Sequence, residues 1–265
     1  IGVLVPRLTD DVMALMFQAV ERVARRRGFF AVVATCGDDP DDESRATETL
    51  LDRNVDGLVL ATARLDDTLP ASLRERRIPH ALVLRTDGVS PSSLGEDETG
   101  GYLAVRHLLD LGHERIGVIG GPAFTSSGQE RRRGAERALA EAGIPVAPEL
   151  MYSVGYGIDD GALAAAELLA LAEPPSAIFA ANDNLAIGVQ SAALARGLQI
   201  GKQLSVIGYN DIPLVSRLPV PLTSMHTNFD QIASSAFDLL DSSGETASIT
   251  RAFPTLMPRA STGRP

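Results

Sequence analysis

The chain has 265 residues, of which 45% are hydrophobic and 22% charged, and it carries a formal net charge of −10 at neutral pH. This length allows one large α/β domain or two lobes of roughly 100 to 150 residues. The acidic balance, with Lys202 as the only lysine, argues against nucleic-acid binding by these residues, because such binding depends on Lys and Arg neutralising phosphates. No apolar run approaches the roughly 18 residues that span a bilayer, and the single Cys36 fits a reducing, cytoplasmic compartment.

In the first part of the chain, short apolar runs alternate with segments whose apolar residues recur every three or four positions. This alternation predicts strands and helices in turn, the pattern of a doubly wound parallel sheet. In the first helix, Met13, Met16 and Val20 would form one buried stripe. The predicted strands lie at 1–6, 29–35, 57–61, 81–84 and 92–94. The first predicted helix ends at Gly28, the second includes residues 50–51, and the third spans 69–77.

The same alternation restarts near residue 99 and continues to the end of the chain. The predicted helices lie at 99–111, 129–142, 159–171, 185–196 and 230–240, the strands at 115–120, 150–154, 178–181, 204–209, 223–226 and 255–259, and a polar loop at 242–246. About ten strands exceed the usual five or six of one sheet. We therefore predict an α/β fold of two lobes, each with its own doubly wound parallel sheet.

Two predicted strands of the second part end in polar pairs. Asn182 and Asp183 follow one strand, and Asn210 and Asp211 end the next. The carboxyl ends of parallel strands meet at one edge of a sheet, where open α/β sheets bind ligands. These side chains either cap helices and form turns, the commoner role of Asn and Asp, or also converge on a polar ligand.

Common catalytic and metal-binding motifs are missing from the sequence. Ser126 and Ser127 lack the glycines of a nucleophile elbow, and the four histidines are too scattered to suggest metal-ligand spacing. The glycines before Lys202 depart from P-loop spacing. We therefore expect neither a metal nor a cofactor, and an enzyme is the least favoured class of function.

Three consecutive arginines, Arg131 to Arg133, lie in the first turns of a predicted helix, where positive charge is mildly unfavourable. One of them could serve a ligand, because a guanidinium group offers five donors in a planar fork. From these residues alone, a solvated helix face is the simpler interpretation.

Six segments of the chain carry an ordered set of motifs: VDGLVLA (55–61), HLLDLGHERIGVIGGP (107–122), PPSAIFAANDNLAIG (174–188), LSVIGYNDIPL (204–214), PVPLTSM (219–225) and RASTG (259–263). Together they resemble the lactose-repressor (LacI/GalR) family of bacterial transcription regulators over nearly the whole chain. The resemblance implies a periplasmic-binding-protein type I fold, with three crossings between lobes and a small effector, such as a sugar, in the cleft. It places 1–97 and 227–248 in the N-terminal lobe and 98–226 and 249–265 in the C-terminal lobe.

The resemblance also implies a ligand site. Arg131 matches the effector-gripping arginine of the family, in a segment that here is GQERRRG. Asn182 matches the polar residue of the A-N-D motif. Asn210 matches the first acid of the G-F/Y-D-D motif, and as an amide it can donate as well as accept hydrogen bonds.

Five further positions complete this predicted site. Tyr156 and Phe229 match positions where aromatic rings flank the ligand, and ordinary packing is an equal alternative for both. At the cleft edge, Asp10, Met13 and Asp97 stand where the family usually carries other residues, so the resemblance does not name the effector.

The function implied is the effector-binding and homodimerisation core of a transcription regulator. Residues 185–194 and 214–218 match dimer surfaces of the family, and operator DNA would be bound only through a helix-turn-helix that is missing from this sequence. A sugar-binding protein of a periplasmic transporter, which would be monomeric, is the alternative on the same fold. Neither reading involves a membrane-spanning segment of this chain.

Overall fold

The structure is a computed structural model that describes residues 1–241 and 248–265. The described residues form two compact units, which we name the first unit (1–95, 124–126 and 228–252) and the second unit (96–123, 127–227 and 253–265). Each unit contains one six-stranded sheet. The predicted polar loop at 242–246 lies outside the described residues.

Apart from the strand Ile249–Ala252, strands and helices follow one another as the sequence predicts, with ends shifted by a few residues. The strands are β1 (Gly2–Val5), β2 (Val32–Thr35), β3 (Leu58–Leu60), β4 (His80–Val83), β5 (Ser92–Gly95), β6 (Ile116–Gly120), β7 (Met151–Ser153), β8 (Ala177–Ala180), β9 (Ser205–Asn210), β10 (Thr223–His226), β11 (Ile249–Ala252) and β12 (Thr255–Met257). The helices are α1 (Asp11–Arg26), α2 (Pro40–Leu51), α3 (Leu69–Glu75), α4 (Asp97–Asp110), α5 (Ser126–Glu141), α6 (Ile158–Leu168), α7 (Asp183–Ala195) and α8 (Phe229–Asp241). Over the described residues, no helix has the length and apolarity needed to cross a bilayer.

The sheet of the first unit is parallel throughout, in the order β11-β5-β4-β3-β1-β2. Its core joins strand residues such as Leu4, Leu60 and Leu82 to Leu50 of α2 and Leu73 of α3. The central strands β1, β3 and β4 are buried at every position, which is why they contain apolar runs rather than alternating residues.

One strand of the first unit differs from the prediction. The family resemblance places 249–265 in the C-terminal lobe, whereas β11 pairs in parallel with β5, from Ile249 opposite Ser92 to Ala252 opposite Gly95. Residues 249–252 therefore lie in the sheet of the first unit. The short segment ITRA has no apolar run that could have indicated a strand.

The sheet of the second unit has the order β12-β10-β9-β8-β6-β7, parallel except for β12, which runs antiparallel to β10. Its core packs Val118, Phe179 and Ile207 of the sheet against Leu108 of α4 and Leu139 of α5. The chain runs from β6 outward to β7 and then returns past β6 to β8. This reversal leaves a crevice at the carboxyl ends of β6 and β8, the place where doubly wound sheets bind ligands.

Candidate ligand-binding site

Arg131 lies in the second turn of α5, at this crevice of the second unit, and only 6% of it is exposed. Its Nε donates to Oδ1 of Asp97, the first residue of α4, over 2.7 Å. Its Nη1 donates to the carbonyl oxygen of Ala181, the residue after β8, over 2.6 Å. The solvated-face interpretation is therefore wrong for Arg131, whereas Arg133 is exposed and pairs with Glu98.

The guanidinium of Arg131 also lies on an aromatic ring. Its central carbon is 3.7 Å from the centroid of the Tyr209 ring, and Tyr209 is fully buried near the end of β9. A cation over a desolvated aromatic face is attracted by the ring quadrupole. Space for this ring depends on Gly100, because a Cβ there would come within 2.1 Å of the Tyr209 hydroxyl. From the sequence, Tyr209 is predicted only as the end of a strand, and no local pattern indicates this contact with Arg131.

Both side chains of the Arg131–Asp97 pair are buried, and each shifts the pKa of the other. Burial lowers the pKa of the Arg131 guanidinium, but Asp97, together with Tyr209 and Tyr156, more than offsets this, so the pKa is raised overall. Burial raises the pKa of Asp97, and Arg131 limits that rise. Hydrogen bonds to the described residues engage Nε and Nη1 of Arg131, and none of them engages Nη2. The two hydrogen bonds and the Tyr209 ring thus fix the orientation of the guanidinium.

Asn182 and Tyr156 form the neighbouring part of the site. The Oδ1 atom of Asn182 accepts from the Leu185 N–H over 2.8 Å, which confirms the predicted cap of α7. Its Nδ2 donates to the carbonyl oxygen of Tyr156 over 3.1 Å, so Asn182 also holds the loop after β7. The half-buried Tyr156 ring lies over Gly121, where a Cβ would approach it to 2.3 Å, and its hydroxyl is 3.3 Å from the Ser127 hydroxyl.

The end of β9 is a bend built from two residues with positive φ. Asn210 has φ 101° and Asp211 has φ 56°, values that residues other than glycine rarely adopt. The Nδ2 atom of Asn210 donates to the Thr227 hydroxyl over 3.2 Å. The Asp211 carboxylate lies 2.7 Å from Arg259 and 3.3 Å from Nδ1 of His226. Asp211 is therefore engaged within the fold.

Asp183 also has a role that differs from the expectation. It does not cap α7: Oδ1 accepts from the Ser224 hydroxyl over 2.6 Å, and Oδ2 accepts from the Ile212 N–H over 2.8 Å. Burial raises the pKa of Asp183 to about 7, although both hydrogen bonds favour its charged form. Asp183 and Asp211 are both engaged by other parts of the fold, so Asn182 and Asn210 are the members of the two polar pairs that stay predicted as ligand contacts.

Three predicted site residues belong to the first unit. Asp10 is half-buried, and its side chain caps α1 by accepting from the Val12 N–H over 3.0 Å. Met13 is buried in the apolar stripe of α1. Phe229 is half-buried at the first residue of α8. The cap formed by Asp10 and the burial of Met13 are parts of the fold of that unit, and contact of all three residues with a ligand stays a prediction.

Known proteins resemble this chain over most of its length. The sequence profile of the family described as "Periplasmic binding protein-like domain" matches residues 105–262. The "Ribose operon repressor" of Haemophilus influenzae is 32% identical over 229 residues, which are 85% of this chain and 68% of that protein. The "HTH-type transcriptional repressor PurR" of Vibrio cholerae is 29% identical over 243 residues, 91% of this chain and 72% of that protein.

A solved structure extends the similarity to three dimensions. The crystal structure of a LacI family transcriptional regulator from Enterococcus faecium, with bound ribose, is 25% identical and superposes with a TM-score of 0.85. It covers 99% of this chain, which in turn covers 98% of it. The similarity therefore includes both units and the strand ends at which the candidate site lies.

Proposed function

Because the chain belongs to the lactose-repressor (LacI/GalR) family of transcription regulators, we propose that it is the effector-binding core of such a regulator. The observation that carries the proposal is Arg131, a buried arginine oriented by Asp97, Ala181 and Tyr209 at the switch point of a doubly wound sheet. Such a rigid, desolvated donor is typical of a binding site, in which orientation is fixed before the ligand arrives.

The proposed ligand is a sugar or a sugar derivative. Arg131 supplies a donor through Nη2, and the amides of Asn182 and Asn210 can both donate and accept, as sugar hydroxyls do. The half-buried ring of Tyr156 offers an aromatic face for the C–H face of a sugar. A ribose operon repressor among the relatives and a ribose-bound structure among the neighbours support this class of ligand.

The relatives also support a regulator over a transporter component or an enzyme. Both curated relatives are named as repressors, and they match 85% and 91% of this chain. In the proposed mechanism, effector binding changes the operator affinity of a helix-turn-helix elsewhere in the full protein. Allosteric coupling of this kind is typically about 1 to 3 kcal/mol, which corresponds to an affinity change of about 5- to 150-fold.

A thermal-shift screen against sugars, polyols and nucleobases tests the ligand class. A ligand that binds only the folded state stabilises it by about 2.7 kcal/mol at a hundred times its dissociation constant, so a true effector raises the melting temperature in a concentration-dependent way. Calorimetry on the best compound then gives its affinity.

Arg131→Lys tests the proposed site with that compound. Lysine keeps the positive charge but lacks the planar fork that bonds to Asp97 and Ala181 while stacking on Tyr209. We expect at least ~10-fold weaker binding, the loss of about one hydrogen bond to a charged group. The matched control is Arg132→Lys, one residue along α5, where the side chain is half-exposed and pairs with Glu136 over 2.7 Å. Equal affinity of both variants and the wild type would contradict the assignment of Arg131.

A further inference from the structure

The bend at Asn210 and Asp211 is a strained feature at the predicted ligand site. Positive φ values at two successive residues other than glycine are unfavourable, and such strain persists only where surrounding contacts determine it. It is found most often at ligand clamps and active sites. The contacts that fix this bend therefore bear on how Asn210 is presented.

One buried carboxylate fixes the backbone that follows Asn210. The Ile212 N–H donates directly to Oδ2 of Asp183 over 2.8 Å. The Asp211 N–H donates over 3.1 Å to the hydroxyl of Ser224, which itself donates to Oδ1 of Asp183 over 2.6 Å. Both amides after Asn210 are thus bound, directly or through Ser224, to Asp183.

The position of Asp183 makes it a rigid anchor. It is 1% exposed and is the first residue of α7, where the helix dipole favours a negative charge. Arg259 and His226 pair with the side-chain carboxylate of Asp211, and these ion pairs do not involve the backbone amides of the bend. Asn182, the neighbour of Asp183, caps the same helix and holds the Tyr156 loop.

We propose that Asp183 is a positioning residue that holds the strained bend and thereby sets the orientation in which Asn210 meets the effector. The contact between Asn210 and the effector rests on the proposed function, whereas the hold on the bend does not. Asp183 acts through Asn210 and has no ligand contact of its own.

Hydrogen exchange measures the hold on the bend without any ligand. The two carboxylate oxygens of Asp183 accept one hydrogen bond each, from the Ile212 N–H and from the Ser224 hydroxyl. In Asp183→Asn an NH2 group, which cannot accept a hydrogen bond, replaces one of these oxygens, so the pair of bonds cannot form as in the wild type. We expect the Ile212 and Asp211 amides to exchange at least ~10-fold faster relative to the amides of β8. Ser224→Ala, a milder variant, is expected to accelerate mainly the Asp211 amide.

Ser261→Ala is the matched control for exchange. Ser261 is buried and binds the Thr223 N–H and the Val206 carbonyl oxygen, at the far end of the same strands. Its removal destabilises the unit without touching the bend, so the ratio of Ile212 to β8 exchange should stay at the wild-type value. If the Ile212 and Asp211 ratios also stay at that value in both Asp183→Asn and Ser224→Ala, the proposal is overturned.

A binding cycle with D-ribose as the probe tests the path through Asn210. We expect Asp183→Asn to weaken D-ribose binding in the wild-type background and to change it by less than ~2-fold in an Asn210→Ala background. An equal loss in both backgrounds would show that Asp183 does not act through Asn210 and would overturn that part of the proposal. If D-ribose does not bind the wild type, the choice of sugar is wrong and the exchange experiment alone decides whether Asp183 holds the bend.

Discussion

At the scale of single residues, the ion pair of Arg131 and Asp97 is the feature most sensitive to substitution. Breaking a buried pair leaves one charge without compensation, which typically costs about 3 to 5 kcal/mol, whereas replacing both partners by apolar groups is often neutral. We therefore predict that Asp97→Ala strongly lowers the stability of the second unit, because Arg131 stays buried and charged.

Urea unfolding of three variants checks this prediction. Asp97→Ala should unfold at a much lower urea concentration than the wild type, and the double variant Asp97→Ala with Arg131→Met should recover most of the difference. Arg132→Met serves as a control for the same substitution at a half-exposed position of α5. Near-equal midpoints for Asp97→Ala and the wild type would mean that solvent reaches the guanidinium after all.

Roles that depend on neighbours in the sequence could be predicted, whereas roles that depend on distant partners could not. The cap formed by Asn182 follows from a local rule and is present. The roles of Asp97, Tyr209 and Asp183 depend on partners far along the chain, such as Arg131 for Asp97, 34 positions away, and Ser224 for Asp183, 41 positions away. No spacing rule encodes such pairs, because the strand order of the sheet brings them together. The family resemblance did place Arg131 in the site, where its burial and contacts agree with a ligand-gripping role.

At the scale of elements, the segment after β12 is held by a buried histidine. The Nε2 atom of His113 lies 2.9 Å from the carbonyl oxygen of Gly263, and its Nδ1 lies 2.8 Å from the Ser176 hydroxyl. Because a carbonyl oxygen can only accept, Nε2 carries the hydrogen of a neutral ring. Burial lowers the pKa of His113 from its ordinary value of 6.5, even though the bond to Gly263 favours the protonated form.

This lowered pKa predicts a loss of stability in acid. The unfolded chain binds a proton at His113 more readily than the folded one, so the stability that His113 contributes is present above pH 6.5 and is lost as the pH falls through the lower folded-state pKa. We predict that the melting temperature of the wild type falls more steeply than that of His113→Gln between pH 7.5 and pH 5, measured by thermal shift. Parallel curves would show that His113 does not titrate with unfolding.

Strands could be predicted from the sequence where they are buried, because burial requires a run of apolar residues. The strands β6, β8 and β9 are buried at every position, and each was predicted from a continuous apolar segment. In contrast, β11 is partly exposed and polar, and only its pairing with β5 makes it a strand. Helix α5 begins at Ser126, three positions before the predicted 129, in a segment whose polar and glycine residues carry no apolar period.

At the scale of the whole molecule, the exposed leucines of the second unit indicate how chains associate. Leu194 of α7 is 53% exposed and Leu214 is 51% exposed, and both lie in the segments that resemble family dimer surfaces. Leu194 also borders a groove of about 430 Å³ that includes Leu198, Ile200 and Val220. Single exposed leucines are common, but a group of apolar side chains around a groove is typical of an interface.

We therefore predict that the chain is a homodimer and that Leu194→Glu makes it monomeric. The glutamate costs little in the free chain, because the position is half-exposed, but in an interface it would bury an uncompensated charge. Size-exclusion chromatography with light scattering at tens of micromolar should give about twice the 28.0 kDa chain mass for the wild type and the single-chain mass for the variant. Val89→Glu is the matched control, since Val89 is 54% exposed but belongs to the first unit and lies outside the predicted surface. If the wild type is strictly monomeric at this concentration, dimerisation is not part of the mechanism. If Val89→Glu also dissociates the dimer, the interface lies elsewhere.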